Sequence, residues 1–191
     1  MKVRELAERY KDKVIALRRE FHQNPELSWQ EFKTAKRVEE ELKKAGIEAI
    51  RVANTGVVGL IKGKAGNKVV ALRADIDALP VQETNKLSYA SQNDGVMHAC
   101  GHDGHTAMLL VAAQILGELQ DQFSGTVKLL FQPAEESIEG AKKLVEEGVL
   151  EGVDAVLAIH IWSEMPAGKV SLEAGPRFAA GDRFKIIIKG K

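Results

Sequence analysis

Two hydrophobic periods alternate along this chain, and that alternation restricts its fold more than any other feature. Over residues 3–21, Leu6, Tyr10, Val14, Leu17 and Phe21 recur every three or four positions with charges between them. This is the pattern of one amphipathic helix, ended by Asn24-Pro25. A second helix is expected from an N-cap at Ser28 to about Ala45, with Phe32, Ala35, Val38 and Leu42 on one stripe and Gly46 as its stop. The period then shortens. Glu48–Val52, Val57–Lys62 and Val69–Ala74 are short runs rich in β-branched residues, separated by Asn54-Thr55-Gly56 and Gly63-Lys64-Ala65-Gly66-Asn67. A helix from about Gly104 to Leu119 is apolar over most of its surface, which implies burial between layers. A strand at Val127–Phe131, a helix at Ile138–Glu147 and a strand at Ala155–Ile161 follow, with later strands at Val170–Leu172 and Phe184–Ile188. Strands interleaved with helices in this way specify an α/β layered fold with a largely parallel sheet.

Composition sets outer bounds on partners. The 191 residues carry 27 basic and 27 acidic side chains, so no charge surplus favours nucleic acid or an anionic membrane. No apolar run approaches the ~18 residues that a membrane span needs. The first residues lack the apolar core of a signal peptide, which makes the cytoplasm the expected location. One cysteine, Cys100, excludes an internal disulfide and leaves a buried, reactive or metal-ligating thiol.

The chemistry concentrates in Met97-His98-Ala99-Cys100-Gly101-His102-Asp103-Gly104-His105, where three of five histidines and the only cysteine lie within nine residues. Imidazole and thiolate bind borderline-soft divalent metals, and Gly101 permits a turn that aims Cys100 and His102 at one ion. Ligands of open α/β sheets gather beyond the carboxyl ends of strands. Asp75 and Asp77, Glu135 and Glu136, and His160 all fall at such ends. Of two adjacent glutamates, one can bind metal while the other takes a proton from water that the ion has acidified. Several other residues have structural readings beside functional ones. His22 and Asp103 suit helix ends, His98 and His105 suit either supporting or surface positions, and Trp162 and Met165 suit a pocket wall or the core.

Four ordered motifs resemble one family. They are Leu17-Arg18-Arg19-Glu20-Phe21-His22-Gln23-Asn24-Pro25-Glu26-Leu27-Ser28, then Arg73-Ala74-Asp75-Ile76-Asp77-Ala78-Leu79-Pro80, the histidine cluster, and Phe131-Gln132-Pro133-Ala134-Glu135-Glu136. The chain is similar to amidohydrolases of the aminoacylase/carboxypeptidase metallopeptidase family, in the branch of hippurate hydrolase, N-acyl-amino-acid amidohydrolases and indole-acetyl-amino-acid hydrolases. The resemblance implies a three-layer α/β/α fold with a mixed, mostly parallel sheet. It implies two divalent ions, manganese or zinc, with cobalt or nickel as alternatives. Cys100, His102, Glu136 and His160 match the metal ligands, and Glu135 matches the general base. Asp75 matches an aspartate that orients a metal-binding histidine two residues earlier, but that position here is Arg73, which leaves the role of Asp75 open.

The family's complete enzymes are about twice this length. The resemblance therefore implies that residues 1–181 are the N-terminal part of a catalytic domain and 182–191 the first strand of an inserted lid and dimerisation domain. The expected activity is hydrolysis of N-acyl amino acids or short peptides, impaired where the chain ends early, in a full-length dimer or tetramer. A non-catalytic metal-binding or assembly fragment is the alternative. A cysteine-nucleophile hydrolase using Cys100 with His102 or His105 would leave the paired glutamates without a role.

Overall fold

The first hydrophobic stripe forms two helices rather than one. α1 (Lys2–Arg9) and α2 (Lys11–Gln23) meet at Tyr10, whose hydroxyl donates to Glu118 across the helical layer. The computed structural model describes residues 2–178 and 184–190. α3 (Phe32–Lys44) begins later than expected, because Ser28 does not cap it: the Ser28 hydroxyl donates to Asp77 Oδ2 at 2.7 Å, and Glu31 occupies the cap position.

The strands are β1 (Ala49–Val52), β2 (Gly56–Lys62), β3 (Lys64–Asp75), β4 (Ser124–Gln132) and β5 (Ala155–Ala158), and they form one sheet in the order β1-β2-β4-β3-β5. β1–β2 and β2–β4 are antiparallel, whereas β3–β4 and β3–β5 are parallel. The sheet is mixed, with its pairings divided evenly rather than largely parallel. The reason lies in the connections: a short turn returns β1 into β2 antiparallel, while α4 (His102–Glu118) carries the chain from β3 across to a parallel β4. A 3-10 turn (Gln120–Gln122) and α5 (Gly140–Glu146) complete the elements.

Strand alternation divides the core in two. Val57, Leu129 and Phe131 face α2, α3 and α4, packing with Phe21, Val38, Leu42 and Leu110. Val58, Ala71 and Leu130 face the other way, against Leu144 of α5 and Val149. This is the three-layer α/β/α arrangement. β5 ends at Ala158, three residues short of the expected limit, so His160 leaves the ladder and reaches the rim.

By internal packing the chain divides into Met1–Ile161, which holds all these elements, and Trp162–Lys191. Among the described residues of the second unit there is no helix or strand, so the expected strands Val170–Leu172 and Phe184–Ile188 do not form. Both segments are largely exposed, and without a partner ladder a short apolar run has no reason to hold strand geometry. The expected boundary between 181 and 182 falls outside the described residues. Among the described residues no helix is long and apolar enough to cross a membrane.

Candidate metal centre

Parallel pairing brings the carboxyl ends of β3 and β4 level, with Asp75 opposite Gln132. The chain beyond each end enters the same rim. The first turn of α4 opens there too, after Gly101, whose φ of 94° is a left-handed conformation that a side chain would strain. The helix starts two residues before the expected limit, so His102 is its first residue.

His102 is buried at the middle of the cluster. Its Nδ1 donates to the Asp77 carbonyl at 2.9 Å, which leaves the Nε2 lone pair directed to the opposite side. Nε2 lies 3.7 Å from Glu136 Oε1 and 3.9 Å from Glu135 Oε2. Cys100 Sγ and His160 Nε2 approach to 3.5 Å. Two sets of ion-ligating size result, Cys100–His102–His160 and His102–Glu135–Glu136, each with its ligand atoms within 4.8 Å of one another. Every residue expected to ligate metal is thus brought together.

The donor set suits cations. His102 Nε2 and Glu136 Oε1 are buried and have no hydrogen-bond partner, a costly state unless a further group is bound. Burial opposes charge on His102, but its hydrogen bond to Asp77 and the charges of Asp75, Asp77 and Glu136 raise its pKa. Burial likewise raises Glu136, with Glu135 adding to it. Cys100 is pushed up to about 12 by burial and by the neighbouring Glu136, so the thiol keeps its proton until a positive charge displaces it.

Asp75 lies at the rim with both carboxylate oxygens already engaged. Its Oδ1 accepts from His105 Nδ1 at 2.6 Å, its Oδ2 accepts from Arg73 at 2.8 Å, and Oδ2 is 3.6 Å from His102 Nε2. Burial works against the carboxylate, but His105, His102 and Arg73 outweigh it and hold the pKa near 2. Arg73 reaches Gln132 through Nε at 2.9 Å, which ties the ends of β3 and β4 together.

Three residues support the ligands, and the sequence singled out two of them, Asp77 and His105, without fixing what they do, but not Glu31. Asp77 orients His102, and its Oδ2 accepts from the Glu136 N–H at 3.0 Å. Glu31 is fully buried, accepting from the Ala134 N–H at 2.8 Å and from the Thr55 hydroxyl at 2.6 Å. Ala134 has a φ of 50°, so these bonds hold a strained residue directly before the glutamate pair. His105, left between supporting and surface roles, is buried. For Glu31 the sequence carried no signal that distinguishes a buried acid from a surface one.

His22 and His98 join no group of ion-ligating size among the described residues. His22 sits between Asp103 at 2.7 Å and Glu83 at 3.2 Å, which raises its pKa through the Asp103 hydrogen bond against the opposing effect of burial. Asp103 also accepts from Arg18 at 2.9 Å and from the Gly104 N–H at 2.8 Å. It therefore joins α2 to the first turn of α4 rather than occupying the cap position. His98 is buried with neither ring nitrogen partnered, and burial depresses it to about 4. Trp162 and Met165 are exposed, so neither is a core residue.

Residues 71–186 match the profile of peptidase family M20/M25/M40. The chain is 49% identical over 191 residues to an N-acyl-L-amino acid amidohydrolase of Geobacillus stearothermophilus, covering 99% of this chain and 52% of that protein. It is 46% identical over 181 residues to an N-acetylcysteine deacetylase of Bacillus subtilis, covering 94% and 48%. A crystal structure of a dinuclear metal-binding peptidase from Bacillus subtilis aligns with a TM-score of 0.81 and 45% identity, covering 84% of this chain and 46% of that one. The chain spans about half the length of the curated relatives it matches.

Proposed function

The chain belongs to peptidase family M20/M25/M40, and from that premise we propose that its rim cluster is the larger part of a two-ion amidohydrolase centre acting on N-acyl amino acids or short peptides. The observation that carries this reading is the convergence of two buried, unpartnered ligand atoms, His102 Nε2 and Glu136 Oε1, beside Cys100 and His160. Cys100, His102, Glu136 and His160 would hold the ions, with manganese or zinc the expected metal and cobalt or nickel able to replace it. Divalent ions bound there would polarise an amide carbonyl and acidify water.

Glu135 is the proton carrier. It is the more exposed of the pair, its side chain 39% accessible against 21% for Glu136, so it can reach water and substrate while Glu136 faces inward. It takes the proton from the attacking water and returns it to the departing amine, a role worth about 10²–10⁴ in rate. Asp77 and Glu31 keep the two glutamates in place through the Glu136 and Ala134 amides. The same reading takes residues 1–181 as the N-terminal part of the catalytic domain and 182–191 as the start of a lid. It makes the whole polypeptide a cytoplasmic dimer or tetramer. Balanced charge supports the absence of a nucleic-acid or membrane-surface partner.

The test pairs elemental analysis with hydrolysis of N-acyl amino acids, with and without added manganese. Cys100→Ala and Glu136→Ala should lose metal, whereas Glu135→Gln should keep it and lose turnover by about 10²–10⁴. Hydrolysis that survives chelation but not thiol alkylation would replace this reading with nucleophilic catalysis by Cys100. Metal binding without turnover by any form of the chain would leave a metal-binding or assembly role.

A further inference from the structure

His105 has the composition of a ligand site around it, because Asp75, His102 and His105 form a third group of ion-ligating size. Its hydrogen bonds exclude that use. The backbone N–H of Ile161 can only donate, and it lies 2.8 Å from His105 Nε2, so Nε2 is an acceptor. The proton then resides on Nδ1, which donates to Asp75 Oδ1 at 2.6 Å. Both ring nitrogens are committed, one to a carboxylate at the end of β3 and the other to the backbone immediately after His160.

The same segment is seated by shape. A Cβ placed on Gly104 would fall 2.5 Å from Ile161 Cδ1, and one on Gly101 would fall 3.5 Å from Ile161 Cβ. The Ile161 side chain therefore lies over the bare first turn of α4. The His105 and His160 rings sit 4.7 Å apart between centroids. β5 has ended at Ala158, and these contacts, together with the bond of His160 Nδ1 to the Ile161 carbonyl at 2.5 Å, accompany the approach of its Nε2 to Cys100.

We infer that Asp75, His105 and the Ile161 amide form a clasp that positions His160 in the metal centre, so His105 is a positioning residue and not a ligand. This assigns Asp75 a task in a chain where the position two residues earlier is Arg73: it orients a supporting histidine instead of a ligating one. The inference rests on the two-ion reading above.

Substitutions at position 105 separate the two bonds. Glutamine can place an acceptor where Nε2 stands, and asparagine can place a donor where Nδ1 stands. In the full chain loaded with cobalt(II) alone, His105→Asn and His105→Ala should weaken the ion held by His160 by about 10- to 100-fold. They should also alter the thiolate–cobalt absorption of Cys100 and remove exchange protection from the Ile161 amide in metal-free protein. His105→Gln should restore affinity, absorption and protection together. Equal behaviour of the asparagine and glutamine variants would overturn the clasp, as would wild-type affinity in His105→Ala when His160→Ala loses an ion. If His160→Ala and Cys100→Ala lose no ion either, the metal reading itself fails and the clasp fails with it. If His105→Ala does not fold, the contrast between asparagine and glutamine still decides.

Discussion

Glu31 shows how much of the centre depends on one buried side chain away from the ligands. Its carboxylate satisfies the Ala134 amide and the Thr55 hydroxyl, and burial raises its pKa despite those bonds. Glu31→Ala strands two buried donors at about 1–3 kcal/mol each, so a loss of about 2–6 kcal/mol is expected. Glu31→Gln keeps an oxygen for Ala134 and should cost distinctly less. Denaturant midpoints measure both, and equal losses would mean that the carboxylate is not what holds the loop. At this scale the ligands were legible because histidine, cysteine and paired glutamate are chemically distinctive, and Cys100, His102, Glu136 and His160 do converge. Glu31, Asp77 and His105 were not legible in their roles. Their work depends on which backbone amide or carbonyl lies opposite them, and that is set by contacts 25 to 103 residues away in sequence.

The elements differ in how strongly they are fixed. β4 is the middle strand, flanked by β2 and β3, and Leu129 and Phe131 are completely buried on its α4-facing side. Phe131→Ala should cost about 3–5 kcal/mol, and because Phe131 pairs with Ala74 beside the rim, it should also lower metal affinity. Ile50 on edge strand β1 is 64% exposed, and Ile50→Ala should cost less than about 1 kcal/mol. Chemical denaturation of the two variants checks the contrast, which reversed values would refute. β4 and α4 were legible because burial on both faces writes a continuous apolar run. The even division between parallel and antiparallel pairs was not. Periodicity reports that a segment is a strand, while direction is decided by whether the connection is a tight turn such as Ala53–Thr55 or a crossing helix. The ends of α3 and β5 were misplaced for a related reason, since Ser28 and His160 are drawn away by Asp77 and Cys100, partners that no local pattern reveals.

For the whole molecule, acid is the informative stress. With 27 acidic and 27 basic residues, lowering the pH removes the negative half and leaves the positive half to repel itself. Two carboxylates held near 2, Asp75 at the rim and Glu41 in the helical layer, should dominate the onset. Glu41 is buried in α3, and burial alone would raise its pKa, yet bonds from Lys13 of α2 and from Lys44 and Arg37 of its own helix hold it near 2. The unfolded value of a glutamate is about 4.3. A folded pKa below the unfolded one contributes stability that is fully present above about pH 4.3 and is lost as pH falls toward 2. The difference corresponds to about 2–3 kcal/mol. The second contact of Lys13, to Gln114 at 2.6 Å, extends the same cluster to α4, so its loss loosens three helices that cover one face of the sheet. Thermal unfolding followed between pH 6 and 2 should therefore fall most steeply below about pH 4.3. Glu41→Gln should be less stable than the parent at pH 6, and the gap should close as both approach pH 2. A gap that stays constant across that range would show that Glu41 stabilises the helical layer by packing and not by its charge.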